Sequence, residues 1–441
     1  MFVSTLKLSH MSTPLHSLAD LQHLLLDLIS PARPVSQAQL DALGDPDWSR
    51  ILEMARQHRL GPLLYWQIGR AHAHLKYPDH IKIQLSAIYQ KSVFRNLMVQ
   101  RELLLIHNIF KSADIPFIGL KGAFLAFQAY PQPALRPLRD IDILVSSNQA
   151  IQAFSILLTN GLKRIQNYNG SPEAWLNIHR HLPPLHSPSE TLNVELHNRL
   201  FSPNQSSTET KEFSHTPEFW QRTVELSLAK ASVRYQSPTD LLLHLIVHAV
   251  YQHEFDNGPL LLSDLSFLLD THPIDWNLFW SMANISQYTR GCWLALKLTE
   301  RYWGKKDITW PAHLEITPLE NDDILKTSAQ IMLRNFDARA HVRLHSDMKS
   351  KYGLKAKIHY VSNKLFTSKN VLAAQYAVSA DDWHIYAYYP LRWWWLLSQK
   401  LPGLWQTKKV AGLQNEVLQI KGLRQWLQQE QRNDLTDTPS T

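Results

Sequence analysis

The sequence predicts an α+β protein in which a small mixed β-sheet is embedded in a mostly helical chain. Apolar residues recur at helical spacing before about residue 110 and again beyond about residue 236. Between them, residues 113–200 contain short apolar runs bounded by glycine, proline and polar residues, a pattern typical of strands. At 441 residues, with 44% hydrophobic and 19% charged, the chain is long enough for two or three domains and a sizeable core.

The first region, residues 1–110, is predicted to be helical. Apolar residues recur at helical spacing at Ile51, Met54 and Ala55, and four or five helices are expected between about 16 and 108. The last of these helices is expected to place its apolar stripe at Leu97, Leu104, Leu105 and Ile109.

The second region, residues 111–235, is expected to contain the sheet. Gly122 follows the first strand and permits a tight turn into a helix. Gly161 is placed to end a later helix as its C-terminal cap. The expected elements, in order, are strand 116–120, helix 123–130, strand 138–145, helix 149–160 and strand 191–200.

Three further regions follow the sheet. Residues 236–345 are predicted to form a helical domain, residues 346–429 a basic, aromatic-rich helical region and residues 430–441 a disordered tail. The net charge of +7 belongs mainly to the last quarter, because residues 346–441 hold 13 Lys and Arg against seven Asp and Glu.

Composition and targeting signals indicate a soluble, cytoplasmic protein. The single cysteine, Cys292, excludes an internal disulfide and a structural zinc site built on thiolates. No apolar core of the signal-peptide kind follows Lys7. No run of residues approaches the roughly 18 consecutive apolar residues of a membrane span.

One acidic pair stands out in the run "LRDIDILV". Asp140 and Asp142 are two residues apart on a strand, so both side chains point to the same face. Two such carboxylates repel each other unless a cation lies between them. A divalent ion is one answer, and oxygen ligands favour Mg²⁺ or Mn²⁺ over zinc. The other is a structural salt bridge to Arg136 or Arg139, which is the role expected for Arg139.

If two metal ions bind at this pair, a third carboxylate is needed to help hold them. Glu195 in "TLNVELHNRL" is the candidate, because alternation along that strand puts Val194 and Leu196 on one face and Glu195 and His197 on the other. His197 is then either a hydrogen-bonding partner of the site or a surface histidine.

These motifs resemble a known family. The stretch "IGLKGAFLAFQAYPQPALRPLRDIDILV", with "VELHNRL" after it, is similar to the signature of the uncharacterised nucleotidyltransferase family in the DNA polymerase β-like superfamily. The resemblance extends over roughly residues 45–300. It implies a nucleotidyltransferase core at 111–235, an NTP substrate and two-metal chemistry, with Asp140 and Asp142 as the paired metal ligands and Glu195 as the third.

The same resemblance implies a nucleotide-binding role for Lys121, Gly122 and Arg136. A lysine at the turn supplies a point charge to phosphate oxygens, and an arginine can bind them bidentately. The superfamily usually has Gly-Ser or Gly-Gly where this chain has Lys121-Gly122, so the resemblance does not fix the details of triphosphate binding. The alternative for Lys121 is a solvated residue at the end of a strand.

Other kinds of site have weaker support. His244 and His248 lie one helical turn apart, but no glutamate stands in the zincin position, and packed helix histidines hydrogen-bonded to neighbours such as Asp264 are favoured over zinc. No Walker A motif, dinucleotide fingerprint or Gly-x-Ser-x-Gly elbow is present.

The C-terminal aromatic residues raise nucleic acid or a membrane surface as partners. Trp393, Trp394 and Trp395 could stack on bases or sit at a lipid interface beside a stripe of lysines that begins at Lys349. Three consecutive tryptophans cannot share one face of a helix, so one or two are expected to pack into the core. Neither partner is therefore favoured.

The favoured hypothesis is a metal-dependent nucleotidyltransferase that moves a nucleoside monophosphate from an NTP to an acceptor and releases pyrophosphate. The acceptor is a small molecule, a peptide or a protein. The alternative is a catalytically inactive nucleotide-binding or scaffold protein of a biosynthetic gene cluster.

Overall fold

The computed structural model describes most of the chain, namely residues 16–165, 170–201, 213–311, 318–334, 359, 362–376, 378–379, 381–406 and 413–429. These residues form mainly helices and one seven-stranded mixed sheet, which confirms the predicted α+β class. The tail predicted at 430–441 and the lysines predicted between 349 and 357 lie outside the described residues.

Five helices precede the sheet, as predicted: α1 Leu18–Leu28, α2 Gln37–Asp41, α3 Asp45–Gln57, α4 Gly61–Ile68 and α5 Asp79–Ser112. The side chains of Ser17 and Ser36 cap α1 and α2, each accepting a backbone N–H of the first turn. The stripe predicted on α5 is only half right, because Leu104 and Ile109 pack against the core whereas Leu97 is 56% and Leu105 38% exposed. Several apolar stripes run along this 34-residue helix, and the core takes the one at Val99, Leu103, Ile106 and Phe110.

The sheet has the strand order β3-β4-β5-β2-β1-β7-β6. Its strands are β1 Phe117–Gly119, β2 Asp140–Val145, β3 Lys163–Arg164, β4 Leu185–His186, β5 Asn193–His197, β6 Val224–Leu228 and β7 Ala231–Tyr235. The three predicted strands are β1, β2 and β5, which lie side by side at its centre. Strand β2 pairs antiparallel with β1 and parallel with β5, so the sheet is mixed as predicted.

Most of the remaining helices pack around this sheet and form one large apolar core with it, whereas Trp175, Leu372 and Ile385 belong to a separate, smaller cluster. Gly161 has a φ of +95° just beyond the helix Ala150–Thr159, which confirms its predicted role as a cap. Two π-helical turns, Leu125–Ala129 and His248–Gln252, continue the helices Gly122–Phe124 and Pro238–Val247. The helices are α6 Gly122–Phe124, α7 Ala150–Thr159, α8 Pro172–Ile178, α9 Pro217–Gln221, α10 Pro238–Val247, α11 Leu260–Thr271, α12 Trp276–Ile285, α13 Thr289–Trp303, α14 Pro318–Met332, α15 Lys369–Gln375, α16 Tyr388–Gln406 and α17 Leu413–Leu427.

The tryptophans of α16 pack less than the sequence predicts. Trp393 is half-buried and its indole N–H donates to the carbonyl of Leu365. Trp394 and Trp395 are 72% and 41% exposed. Among the described residues, no helix is both long enough and apolar enough to cross a membrane.

Candidate active site

The parallel pairing of β2 with β5 brings two of the predicted carboxylates together. Asp142 lies directly opposite Glu195 in the register of these strands, and Asp140 lies opposite Asn193. The intervening Ile141 and Ile143 are fully buried on the other face, which fixes the direction of the acidic side chains. The predicted juxtaposition of Asp140, Asp142 and Glu195 at one edge of a strand pair therefore has a structural basis.

A metal-binding geometry is present at this point. Asp142, Glu195 and His197 each offer a ligand atom, and the three atoms lie within 4.8 Å of one another. The ring of His197 is fully buried, whereas the side chains of Asp142 and Glu195 are 11% and 24% exposed. A buried group of two carboxylates and an imidazole can hold a divalent ion.

The chain's own groups neutralise Asp142. Its Oδ2 lies 3.5 Å from the ammonium of Lys121, and its Oδ1 accepts a 2.8 Å hydrogen bond from Nε2 of His197. Burial raises the pKa of this carboxyl, but Lys121 and His197 outweigh burial and hold the pKa well below its ordinary value. Asp142 is therefore ionised at neutral pH. The surface location considered for His197 is wrong, and its interpretation as a hydrogen-bonding partner of the site is supported.

The turn after β1 aims Lys121 at the site. Lys121 has a φ of +39° and a ψ of −105°, a backbone conformation that is costly for a residue with a Cβ. The positive φ thus falls on Lys121 and not on Gly122. At Gly122 the constraint is space, because a Cβ there would lie 2.7 Å from both Nη1 of Arg136 and Cδ2 of Leu138 and would displace these side chains. Lys121 is buried, so the solvated strand-end alternative for this residue is wrong.

The carboxylates open into a pocket of about 310 Å³. This volume is at the lower end of the range for small-molecule sites. Besides Asp140, Asp142, Glu195 and Asp264, its wall contains five cationic side chains: Arg59, Lys121, Arg136, Arg139 and Arg180. Because cations outnumber carboxylates, the pocket suits an anionic ligand, and phosphate groups are the natural class.

Arg136 is held by a carboxylate that the sequence did not pair with it. Its Nε and Nη2 donate to the two oxygens of Asp264 at 2.8 and 3.0 Å, and the hydroxyl of Tyr130 donates to the same carboxylate at 2.7 Å. The salt bridge considered between Arg136 and the Asp140–Asp142 pair is therefore not the one that forms. Phosphate binding by Arg136 stays a prediction, and it would use Nη1, which lies beside Gly122 on the pocket wall.

Two arginines of the pocket were not predicted. Arg59 follows α3, and burial together with Arg136 and Arg139 lowers its pKa to about 10, so it remains charged at neutral pH. Arg180 precedes β4; its Nη1 donates to Oε1 of Gln252 and lies 3.1 Å from Nδ1 of His248. Both come from loops remote in sequence from the acidic motif, and no local pattern marks them.

The paired helix histidines are packed, as favoured from the sequence. Nδ1 of His244 lies 3.0 Å from Oε1 of Gln236, and Nδ1 of His248 lies 3.0 Å from Oε1 of Gln252. Their partners are thus these glutamines and not Asp264. Within the described residues, the metal-binding group at β2 and β5 does not include either histidine.

Asp140 is expected to make stability depend on pH. Partial desolvation at the pocket wall and the charges of Asp142 and Glu195 raise its pKa to about 6, above the ordinary value near 3.9 of the unfolded chain. Between these values the folded protein binds more protons, so stability falls as pH rises from about 4 to 6. The Asp140→Asn variant has no titrating group at this position, so it does not lose this part of its stability as pH rises. Its melting temperature relative to wild type should increase between pH 4 and pH 7 in metal-free buffer. A constant difference over that range would show that Asp140 titrates normally.

The comparisons with known proteins agree with this geometry. The chain matches no curated protein sequence. Residues 44–304, which make up more than half of the chain, match the sequence model of a family described as uncharacterised nucleotidyltransferase. The match contains the whole of the pocket, from Arg59 to Asp264. The chain therefore belongs to the uncharacterised nucleotidyltransferase family.

Proposed function

We propose that the protein is a metal-dependent nucleotidyltransferase that transfers a nucleoside monophosphate from an NTP to an acceptor and releases pyrophosphate. One observation carries the proposal: Asp142 and Glu195 lie opposite each other on adjacent strands, with Asp140 on the same face, and all three line a pocket that also contains five cationic side chains. Family membership supports it.

The donor set fits a divalent ion. Asp140, Asp142 and Glu195 would hold Mg²⁺ or Mn²⁺, since oxygen ligands suit these ions. Such an ion, when bound, supplies charge neutralisation at the transferred phosphoryl group and favours deprotonation of the attacking hydroxyl. The low pKa of Asp142 keeps that carboxylate ready to bind a cation at neutral pH without losing a proton.

The cationic side chains of the pocket wall assist the transfer reaction. An acceptor hydroxyl attacks the α-phosphorus and loses its proton to solvent, a new P–O bond forms, and the bond to the bridging oxygen breaks with its electron pair leaving on pyrophosphate. Arg59, Arg139 and Arg180 are placed to bind the triphosphate and to stabilise the charge that accumulates on pyrophosphate. Fixed orientation of the two reactants in the pocket supplies much of the rate.

The proposal is tested with radiolabelled NTPs, Mg²⁺ or Mn²⁺ and a panel of small-molecule, peptide and protein acceptors. The measurement is release of labelled pyrophosphate and transfer of label from the α-phosphate. We expect metal-dependent pyrophosphate release. The proposal would be contradicted if the protein neither bound a nucleotide nor released pyrophosphate with any NTP and either metal.

Glu195→Gln is expected to reduce pyrophosphate release by at least about 100-fold, because it removes a charge placed to stabilise the reacting centre. The matched control is Glu225→Gln. Glu225 is an exposed residue of β6 that accepts hydrogen bonds from Ser232 and Arg234, and it is not part of the pocket wall. Equal activity of Glu195→Gln and wild type would remove Glu195 from the catalytic group.

One observation favours a second candidate, a nucleotide-binding protein without turnover. Both oxygens of Asp142 already have partners, and the Nε–Nη2 edge of Arg136 is occupied by Asp264. A site neutralised in this way can bind a nucleotide through its cations alone. Metal-independent thermal stabilisation by NTPs, together with the absence of pyrophosphate release, would favour this candidate.

A further inference from the structure

A second imidazole lies beside Glu195. Oε2 of Glu195 is 3.5 Å from Nε2 of His197 and 3.7 Å from Nε2 of His181, which is the second imidazole. The backbone fixes this arrangement, because His181 forms an antiparallel bridge with His197 and the amide of Leu182 donates to the carbonyl of Leu196 at 2.9 Å. The position of His181 next to β5 is thus built into the fold.

The two histidines carry their protons on different nitrogens. Nδ1 of His181 lies 2.7 Å from the carbonyl oxygen of Leu182, which can only accept, so the proton is on Nδ1. In the neutral ring Nε2 then has a bare lone pair, and it faces a carboxylate oxygen that is also an acceptor. Two facing acceptors are compatible when a cation lies between them, and a backbone carbonyl that fixes the ring through Nδ1 is the usual support of a metal-ligating histidine.

His197 has the opposite arrangement. Its Nε2 lies 2.8 Å from Oδ1 of Asp142, a hydrogen-bond distance that places the proton on Nε2. Its Nδ1 is buried without a hydrogen-bond partner among the described residues, so no acceptor favours moving the proton there. In this geometry His197 orients Asp142 rather than offering a lone pair.

The distances agree with this division of roles. Ligand atoms at about 2.1 Å from one ion are separated from each other by roughly 3.0 to 3.4 Å. The 3.7 Å between His181 and Glu195, like the 3.5 Å between His197 and Glu195, is within a small adjustment of such a separation. The 2.8 Å between His197 and Asp142 is shorter than it.

We propose that His181 is an imidazole ligand of a divalent ion shared with Glu195, and that this site takes a first-row transition ion such as Mn²⁺ in preference to Mg²⁺. Nitrogen ligands suit transition ions, whereas Mg²⁺ prefers oxygen and keeps its waters. The proposal rests on the proposed function, to which it adds the class of metal. His181 is 18% exposed, so an ion can reach it.

Pulsed EPR of Mn²⁺ added to the full-length protein at pH 8 tests the proposal directly. Coupling of the ion to a histidine nitrogen is expected in wild type, and its pattern should change when the protein is labelled with ¹⁵N-histidine. The wild-type measurement depends on no variant being folded. Absence of nitrogen coupling, or absence of Mn²⁺ binding, would overturn the proposal.

Variants then identify the nitrogen. His181→Gln should lose the coupling and weaken Mn²⁺ binding by about tenfold or more, since even supporting partners of metal ligands have effects of that size. The matched control is His179→Gln, because the ring of His179 stacks on Trp175 instead of facing a carboxylate. Loss of coupling in His197→Gln with retention in His181→Gln would assign the ligand to His197 and contradict the proposal.

The outcomes separate this inference from the proposed function. Pyrophosphate release supported by Mg²⁺ in a protein whose Mn²⁺ shows no nitrogen coupling overturns the role of His181 alone. Nitrogen coupling in wild type without any nucleotidyl transfer supports His181 and counts against turnover.

Discussion

Replacing Asp142 by asparagine is expected to lower pyrophosphate release by at least about 100-fold and to reduce the free energy of unfolding by about 3 kcal/mol. Both effects come from the same carboxylate. Asp142 faces Glu195 across the strands, and its Oδ2 is the partner of the Lys121 ammonium at 3.5 Å. Metal-free thermal and urea denaturation, with the pyrophosphate assay alongside, measure the two losses.

The loss of stability follows from the burial of Lys121. The side chains of Lys121 and Asp142 are 8% and 11% exposed, so the variant leaves a buried ammonium without its carboxylate. Burial lowers the pKa of Lys121, and in the variant Asp142 no longer opposes this effect. The folded state then binds fewer protons than the unfolded state, so the deficit should shrink as pH rises toward the ordinary lysine pKa.

A double variant provides the control for this pair. Lys121→Met in the Asp142→Asn background removes the unpaired charge and should recover much of the lost stability, but no activity. If Asp142→Asn melts at the wild-type temperature in the absence of metal, Lys121 does not neutralise the carboxylate. The acidic pair would then depend on a bound cation.

Arg136→Met is expected to reduce the free energy of unfolding by about 3 to 5 kcal/mol, the usual effect of removing one partner of a buried ion pair. Arg136 and Asp264 have side chains only 10% and 7% exposed, and two hydrogen bonds join them. Without the guanidinium, Asp264 keeps the hydroxyls of Tyr130 and Ser263 nearby but has lost its counter-charge. Urea denaturation at pH 7 measures the effect.

Two controls separate burial from charge. Arg136→Met combined with Asp264→Leu should recover part of the stability, because neither charge is then left unpaired. Arg234→Met removes the exposed partner of Glu225, and such a surface pair contributes at most about 1 kcal/mol. A small effect of Arg136→Met, combined with a large loss of nucleotide affinity, would instead favour the phosphate-binding role predicted from the sequence.

The sequence by itself was sufficient to predict the class of the fold and the carboxylates of the site. Alternation in "DIDILV" places Asp140 and Asp142 on one face of a strand, and alternation in "NVELH" does the same for Glu195 and His197. These are properties of neighbouring residues along one strand, with a repeat of two that any half-buried strand imposes. The central strands were predicted for the same reason, and the four or five N-terminal helices were predicted from the helical spacing of their apolar residues.

The hairpin of β6 and β7 shows where local pattern was insufficient. Both strands alternate, in "VELSL" and "ASVRY", but the turn between them contains Ala229 and Lys230. Ala229 adopts a φ of +53°, a conformation in which glycine or asparagine would be expected. Without a turn residue of that kind, the sequence offers little sign of a hairpin.

Only the tertiary structure decided the partners of the charged residues. Lys121 was expected at phosphate and also contacts Asp142, while Arg136 pairs with Asp264 from a helix more than 120 residues further along the chain. Arg180 joins the pocket wall, and His181 lies beside Glu195, because the segment before β4 runs beside β5. Such pairings depend on strand register and on helix packing between distant segments. Both are determined by how the apolar core as a whole is buried. Local periodicity carries no information about these pairings. Charged residues do not recur at a fixed spacing, and the partner of a charged side chain can come from any part of the chain.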